Sequence, residues 1–335
     1  MSDPLLSLAF VLAAAVSLGA SWLLVTSLER VGARLGLSEA LLGMLAALAA
    51  DAPEITAAVT ALAHHDQHIG AGVVIGSNVF NLAALIGLAG VVAGAVALHR
   101  RVVELAGAVA LWIAAVTLAV VLNLCSPTAG LLLVLCILGP YVVILGMRHE
   151  RLARLRLPAP WRGWLIAAVT EEELELEVAI HPTRGHARDL ALALSAIAVV
   201  VGASVAMEES AAELGARHAV PGIIIGGLVL AAVTSLPNAV AGVYLAARGR
   251  AAACLSTALN SNAINILAGL LIPTTILGLS PGSGTTTTFI AAAYVAMTVL
   301  VLTTTYVHQG LRRGAGIAIV TAYVTFAAVL VVLAS

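Results

Sequence analysis

Two matched polar segments lie 184 residues apart in a chain of 335 residues, and each interrupts a long apolar run. Both combine a proline with oxygen-bearing side chains and are followed by serine and asparagine: Asp51-Ala52-Pro53-Glu54 with Ser77, Asn78 and Asn81, and Ser235-Leu236-Pro237-Asn238 with Ser261, Asn262 and Asn265. Secondary transporters build central ion sites from duplicated, broken helices at membrane depth. The chain is therefore predicted to fold as two related halves that share one polar centre.

The composition is that of an integral membrane protein. Hydrophobic residues make up 61% of the chain, charged residues only 10%, and the mean hydropathy is +1.08. A soluble domain carries roughly a quarter charged residues. The formal net charge of −1 gives no indication of nucleic-acid binding, so membrane lipid is an expected partner and nucleic acid is not.

Ten apolar runs are long enough to cross a bilayer, which predicts an all-α membrane protein with ten transmembrane helices. They cover residues 5–28, 39–63, 69–97, 102–124, 128–147, 188–212, 219–247, 251–277, 288–307 and 314–334. Because proline removes a helix hydrogen bond, the second and seventh spans are predicted to be broken helices.

The arginines predict how the chain is oriented. Every basic residue is an arginine, and fifteen of the sixteen follow odd-numbered spans, on one face of the membrane. By the positive-inside rule this face is cytoplasmic and both termini lie outside. The expected location is the cell membrane, crossed many times by a single chain.

Arg217 is the exception, and it indicates an inverted-topology repeat. It belongs to Gly215-Ala216-Arg217, which echoes Gly32-Ala33-Arg34 at an offset of 183. Five spans is an odd number, so a second copy enters the membrane from the opposite side. The predicted organisation is a first five-helix repeat at 1–147, a cytoplasmic loop at 148–187 and a second five-helix repeat at 188–335.

Two polar stretches outside the spans leave alternatives open. The acidic stretch Glu171–Glu177 is typical of a solvated interfacial helix or linker; the alternative is a regulatory cation sensor, although its spacing does not resemble a calcium loop. The stretch His64–His68 is typical of a polar outer turn; the alternative is a transition-metal site at an entrance.

Asp51 and Glu54 are the strongest candidates for ion binding. A carboxylate in the middle of a membrane costs a few kcal/mol even on lenient scales, and these two share one helix face because they are three residues apart. Pro53 is expected to free backbone carbonyls near Ala49 and Ala50. Carboxylate and carbonyl oxygens are the ligands of a hard cation, above all Ca²⁺.

The other candidates supply neutral oxygens. Spans 3 and 8 each carry a serine and an asparagine one helical turn apart, so four helices can surround one ion. Serine and asparagine also join helices by hydrogen bonds in membranes, and this structural role stays open for Ser77 and Ser261. The predicted neutral ligands are Ser77, Asn81, Thr234, Ser235, Asn238, Ser261 and Asn265.

These motifs resemble the sodium/calcium exchanger family of cation/calcium antiporters. Three stretches carry the resemblance: Gly76-Ser77-Asn78-Val79-Phe80-Asn81, which is similar to the Gly-Ser-Asn-x-Phe-Asn element of the family, Pro53-Glu54, and Thr234-Ser235-Leu236-Pro237. The resemblance covers nearly the whole chain. It implies ten spans in two inverted repeats, overlapping sodium and calcium sites, and alternating access by sliding of spans 1 and 6.

The chain departs from the family at the acids themselves. Ala50-Asp51 stands where the family has Thr-Ser, and Asn238 stands where the second half has a glutamate. Both carboxylates therefore belong to the first half. Two acids on one helix repel each other when no cation is bound, which favours a proton on one of them. Proton coupling therefore stays open beside sodium coupling.

The sequence predicts a secondary active antiporter that exchanges Ca²⁺ for Na⁺ or H⁺, with Asp51 and Glu54 compensating the ion's charge. It is not an enzyme, and no cofactor is expected beyond the transported ions. A monomer is the expected state. A monovalent cation/proton exchanger is the first alternative, because the second half lacks its acid. A membrane protein that keeps the fold without transport is the second.

Overall fold

The computed structural model describes residues 2–37, 39–147, 149–154, 158–179, 186–249, 251–282 and 284–335. The part preceding residue 148 holds seven α-helices, one π-helical segment and one strand: α1 Asp3–Leu35, α2 Glu39–Ala50, α3 Ala52–Ala63, α4 Gln67–Asn81, π1 Leu82–Leu88, α5 Ala89–Ala93, β1 Ala95–Ala97, α6 Arg100–Val121 and α7 Pro127–Leu145.

The remaining elements comprise two connecting helices and a second series of helices. They are α8 His149–Leu152, α9 Ala159–Ala179, α10 Ala187–Arg217, α11 Gly222–Ile224, π2 Ile225–Leu230, α12 Ala231–Thr234, α13 Leu236–Ala247, α14 Ala251–Ile264, π3 Asn265–Leu271, α15 Ile272–Leu277, α16 Thr285–His308, β2 Gly310–Arg312 and α17 Arg313–Ala334.

Within the described residues, eight helices are long and apolar enough to cross a membrane, or ten if each of two bent pairs forms one span. The first pair, Met44–Ala50 and Ala52–Ala63, bends by 52°; the second, Gly222–Thr234 and Leu236–Ala247, bends by 48°. Both bends fall at the predicted prolines. Because proline suits the first turn of a helix, Pro53 and Pro237 lie at the second positions of α3 and α13 and do not continue the preceding helices.

The long helices α1 and α10 lie antiparallel against each other. Arg30 pairs with Asp189 at one end (3.3 Å) and Arg217 with Asp3 at the other (3.0 Å). The sequence predicted spans of 5–28 and 188–212, and both helices extend further in the structure. These ion pairs join α1 to α10 close to both ends of the two helices.

Two almost fully buried helices form the centre of the molecule: α4, which continues through π1, and α14, which continues through π3. Helix α4 also packs tightly against π2 because both carry glycine at the contact. A Cβ on Gly76 would lie only 2.4 Å from the carbonyl oxygen of Gly227. A larger residue at Gly76 would force these two segments apart.

A small sheet is the exception to the all-α prediction. Strands β1 and β2 pair antiparallel, with Ala95 opposite Arg312 and Ala97 opposite Gly310. The sheet joins the chain between π1 and α6 to the chain between α16 and α17. It lies on the surface that carries Arg100, which packs against Tyr306. We call this surface, with Arg30, Arg100, Arg248 and Arg312, the arginine-rich face.

The segment predicted as a loop at 148–187 is mainly helical in its described parts. Helix α9 packs against α2, α6 and α14 with Leu165, Ala168 and Val169 buried. The indole nitrogen of Trp164 donates a hydrogen bond of 2.9 Å to Glu104. Residues 148, 155–157 and 180–185, and the side chains of Glu171–Glu177, lie outside what the structure describes, so the acidic stretch keeps its two interpretations.

Candidate cation site

The two helix breaks meet at the centre of the molecule. Asp51 occupies the break itself, between α2 and α3, and Glu54 lies in the first turn of α3. Ser235 occupies the second break, and Asn238 lies in the first turn of α13. At each break the carbonyl end of one helix faces the amide end of the next. Such broken helices present partial charges of both signs to an ion site.

Asp51 is completely buried and is held by two side chains from the other half. Its Oδ1 accepts hydrogen bonds of 2.6 Å from the amide nitrogen of Asn238 and of 2.6 Å from the hydroxyl of Ser261. The hydroxyl of Ser261 also accepts from the amide of Asn238, at 3.1 Å. These contacts bring Asp51, Asn238 and Ser261 together as predicted.

Glu54 is equally buried, and its two oxygens have different partners. Ser235 donates its hydroxyl to Oε1, and Asn265 donates its amide to Oε2. Each acid from the first half therefore contacts neutral groups from the second half. The structure places seven of the predicted residues in one continuous cluster, in which Asn81 donates to Ser261 at 3.3 Å and the pair Asn78 and Asn262 connects the two acids' groups of partners.

The contacts repeat under the offset of 184 residues. Ser235 is the equivalent of Asp51, and Asn238 is the equivalent of Glu54. The contact between Asp51 and Asn238 is therefore equivalent to the contact between Ser235 and Glu54. The same holds for Asn78 and Asn262: each donates its amide to the backbone carbonyl of the other, at 3.0 and 3.1 Å. The two segments thus contact each other through matched pairs of residues.

Four buried oxygens in this cluster have no hydrogen-bond partner: Asp51 Oδ2, Ser77 Oγ, Asn81 Oδ1 and Asn265 Oδ1. Buried polar atoms are normally satisfied, so each such oxygen calls for a physical explanation. A cation coordinated by these atoms would satisfy all four without a donor. An amide can also turn, so that its oxygen replaces its N–H toward an ion. Carboxylate, hydroxyl and amide oxygens are the donor set of Ca²⁺ or Na⁺.

The sequence predicted that carbonyls near Pro53 would be free to bind an ion, but in the structure one of them already has a hydrogen-bond partner. Pro53 lacks the N–H that would bind the carbonyl of Ala49, four residues earlier. The hydroxyl of Ser21, from α1, donates to that carbonyl instead, at 2.9 Å. Ser21 also lies 3.5 Å from the carbonyl of Ala50. Ser21 therefore ties α1 to the break and takes up one of the oxygens expected to bind the ion.

The hydroxyl of Thr234, another predicted ligand, bonds to the preceding turn of the continuous helix formed by π2 and α12. Thr234 is fully buried next to the second break, and its hydroxyl donates to the carbonyl of Leu230 at 2.8 Å. Threonine commonly bonds to the preceding turn in this way and thereby favours a bend. Its oxygen retains lone pairs, so ion binding by Thr234 stays a prediction.

Tyr294 is a site residue that the sequence reasoning missed. It comes from α16, is 1% exposed, and its hydroxyl contacts the side chains of both Asn78 and Asn262. In the sequence it is a tyrosine within an apolar span, and without tertiary information such a residue indicates only core packing. In the structure it supports the asparagine pair on which the two halves meet.

The histidine stretch does not form a metal centre within the described residues, where no three His, Cys, Asp or Glu side chains gather around one point. Asp66 caps α4 by accepting from the backbone nitrogen of Ile69 at 3.1 Å, and His68 lies 3.5 Å from Thr287. This agrees with the polar turn predicted first. The central site has no such group of three among the described residues either, because its negative charge comes from two acids.

A cavity of about 440 Å³ approaches the site from one side. Its inner end reaches Ala50, Pro237 and Asn238, beside the two breaks, and its other end reaches Glu29 and Tyr244 toward the arginine-rich face. The cavity therefore extends from the neighbourhood of the two breaks toward that face, while Asp51 and Glu54 themselves are completely buried.

A family model described as "Sodium/calcium exchanger protein" matches residues 5–149 and 189–332, which is most of the chain. No curated protein matches it. Three solved structures share the fold over nearly the full length. The sodium-calcium exchanger NCX_Mj, soaked with 10 mM Na⁺ and zero Ca²⁺, is 18% identical with a TM-score of 0.59, over 97% of this chain and 98% of that one.

The H⁺/Ca²⁺ exchanger CAX is 14% identical with a TM-score of 0.69, over 98% of this chain and 86% of that one. Native YfkE is 15% identical with a TM-score of 0.63, over 99% of this chain and 93% of that one. At these identities the likeness establishes the fold. The match to the family model is what relates the chain to a family.

Proposed function

Because the chain belongs to the sodium/calcium exchanger protein family, an ion-exchanger and not an enzyme family, we propose that it exchanges Ca²⁺ for H⁺ or Na⁺ by alternating access. The observation that most supports this function is the buried pair Asp51 and Glu54, in a cluster where four buried oxygens lack hydrogen-bond partners. Two carboxylates balance the charge of one divalent ion, and the neutral oxygens complete its coordination.

The exchange follows from the cost of leaving the site empty. Two buried carboxylates without a counter-charge are strongly unfavourable in a membrane. When Ca²⁺ leaves, protons or sodium ions must take its place before the empty carrier can reorient. The neutral donors Ser235, Asn238, Ser261 and Asn265 lower this cost without removing it, since they leave both negative charges uncompensated.

A second candidate function is exchange of a monovalent cation for a proton. Asn238 favours it, because an amide occupies the position equivalent to Glu54 and the second half supplies no acid to the site. One carboxylate would then bind the metal ion and the other the proton. The two candidate functions differ in whether the protein transports Ca²⁺ at all.

The architecture that supports this mechanism is ten spans in two inverted five-helix repeats, at 1–147 and 188–335, joined by the segment 148–187. The exchanged pairs at the site, the two bends of similar size and the antiparallel α1 and α10 are what an inverted repeat would produce. The arginine-rich face would lie in the cytoplasm and both termini outside, in the cell membrane.

Flux in proteoliposomes tests the proposal. The purified protein is reconstituted with a trapped calcium indicator, and a Na⁺ or pH gradient is imposed with the membrane potential clamped. Gradient-driven Ca²⁺ movement is expected for the wild type, and it should be lost in Glu54→Gln and Asp51→Asn. Glu213→Gln is the matched control, because Glu213 is exposed and pairs with Arg217 at 2.8 Å, far from the site.

The coupling ion is identified by which gradient drives the movement. Monovalent flux without Ca²⁺ movement would support the second candidate. Loss of activity in Glu213→Gln as well would mean that a changed charge anywhere disables the protein. Absence of flux of every tested ion in the wild type would contradict both candidate functions.

A further inference from the structure

Among the described residues, the carboxylate in the wall of the cavity beside the site is that of Glu29. Helix α1 contributes Leu18, Trp22, Val25 and Glu29, which are spaced by four, three and four residues and therefore share one helix face. The opposite wall comes from α2 and α13. The wall is otherwise apolar or weakly polar, so Glu29 is the feature that gives the cavity a charge preference.

Glu29 lies at the end of the cavity toward the arginine-rich face, about two helical turns from Ser21, the residue that binds the carbonyl of Ala49 at the break. The arginines around this end have other contacts. Arg30 pairs with Asp189 at 3.3 Å, and Arg248 lies over the ring of Tyr244, 4.7 Å from its centre. Glu29 is half-buried and lines the cavity, and Arg30 next to it in the chain is close enough to attract its carboxylate.

We propose that this cavity is the aqueous route between the ion site and the arginine-rich face, and that Glu29 draws cations into its mouth. This inference rests on the proposed function. About 440 Å³ is room for roughly fifteen waters at about 30 Å³ each, which is enough space for a hydrated ion. A carboxylate with low-dielectric walls raises the local concentration of cations, and an apolar wall beyond it does not trap them.

Transport measured from each face tests the role of Glu29. In inside-out vesicles, Glu29→Gln is expected to raise the KM for Ca²⁺ by about tenfold, the change in the local concentration of a divalent ion produced by one unit charge about 6 Å away in water. The maximal rate, and the KM measured from the opposite face, should stay at wild-type values. Glu213→Gln, which removes an acid near the opposite face, provides the control. An unchanged KM at the arginine-rich face would overturn the role of Glu29.

Thiol labelling tests the route without relying on transport. Ala241 lies in the wall between Pro237 and Tyr244, so Ala241→Cys places a thiol inside the cavity. It is introduced into a chain with Cys125→Ala and Cys136→Ala, and Cys254 is buried. A small cationic methanethiosulfonate, applied from the arginine-rich face, should react faster than an anionic one of similar size. Glu29→Gln should reduce this rate ratio by about tenfold, since both reagents lose the effect of one charge.

The outcomes separate the inference from the proposed function. Labelling with a charge preference that depends on Glu29, in a protein without Ca²⁺ flux, would sustain the route and contradict Ca²⁺ exchange. Absence of labelling, as a cavity filled by lipid tails would give, or a rate ratio unaffected by Glu29→Gln, would overturn the inference whether or not the protein transports Ca²⁺.

Discussion

Asp51 and Glu54 are both buried acids three residues apart, but their oxygens are satisfied differently. Both oxygens of Glu54 accept hydrogen bonds, whereas Asp51 receives two bonds on Oδ1 and none on Oδ2. Asp51 therefore has the coordination site that is open to an ion, while Glu54 is fixed in position by Ser235 and Asn265. Asp51 lies at the break, as the residue that precedes α3, whereas Glu54 lies in the first turn of that helix.

Asn238→Asp changes the number of protons that accompany ion binding. Its amide nitrogen lies 2.6 Å from Oδ1 of Asp51, and two carboxylates this close cannot both ionise without a cation between them. Binding of Ca²⁺ by the variant is expected to release about one more proton than in the wild type. The release is measured with a pH indicator in weakly buffered detergent solution.

Asn123→Asp is the matched control, because Asn123 is exposed in the turn after α6. It should release the wild-type number of protons. Equal release by Asn238→Asp and the wild type would argue that Asn238 lies outside the ion's coordination sphere.

At the scale of elements, the breaks in the second and seventh predicted spans position the site. Pro53 lies in the first turn of α3 and Pro237 in the first turn of α13, and the bends of 52° and 48° place Asp51 and Ser235 between helices instead of within them. Ser21 then stabilises the first break by satisfying the carbonyl that the proline leaves free. The site therefore depends on α1 as well as on the two broken spans.

Pro53→Ala is expected to reduce the initial rate of Ca²⁺ exchange by about tenfold to a hundredfold, because displacing a ligand by about 1 Å has effects of that size. The folded protein should be retained, since alanine restores a backbone N–H and favours helix. The rate is measured in proteoliposomes, and folding by thermal denaturation.

Pro140→Ala is the comparison for Pro53→Ala. Pro140 lies inside α7, outside the candidate site, so the same change there should leave the rate unaffected. A wild-type rate in Pro53→Ala, or an equal loss in Pro140→Ala, would contradict a specific role for the first break.

At the scale of the molecule, α1 and α10 form one antiparallel layer against the central helices. Ion pairs join their ends, and the hydroxyls of Ser17 and Ser204 lie 2.7 Å apart at their middle. Both residues are buried. These contacts favour movement of α1 and α10 as one unit, which is what the family resemblance implies for alternating access.

A disulfide between Ser17→Cys and Ser204→Cys should therefore leave exchange close to the wild-type rate. A disulfide between Ser21→Cys and Ala49→Cys, which would fix α1 to the first break, should stop it. Flux is measured before and after oxidation and again after reduction, and each single cysteine variant serves as its own control. Inactivation by the first cross-link with full recovery on reduction would mean that α1 and α10 slide past each other.

Much of the fold could be predicted from the sequence, because bilayer thickness and backbone hydrogen bonding leave few choices for apolar segments. Family membership, the membrane class and the positions of both breaks are confirmed, whereas ten spans, the division into repeats and ion binding by the site residues stay predictions. The sequence reasoning missed the strand pair, the full length of α1 and α10, and Tyr294, since each depends on a contact with a distant part of the chain.

The sequence by itself determined which residues are too polar for the membrane and where the helices must break. Burial cost and the chemistry of proline are local, so Asp51, Glu54, Pro53 and Pro237 could be recognised without neighbours. Only the tertiary structure decided which oxygens are already satisfied, as at Ala49 through Ser21, and which are left for an ion, as at Asp51 Oδ2. Hydrogen-bond satisfaction is a property of pairs of atoms, and residues some 180 positions apart become pairs only when the two halves meet.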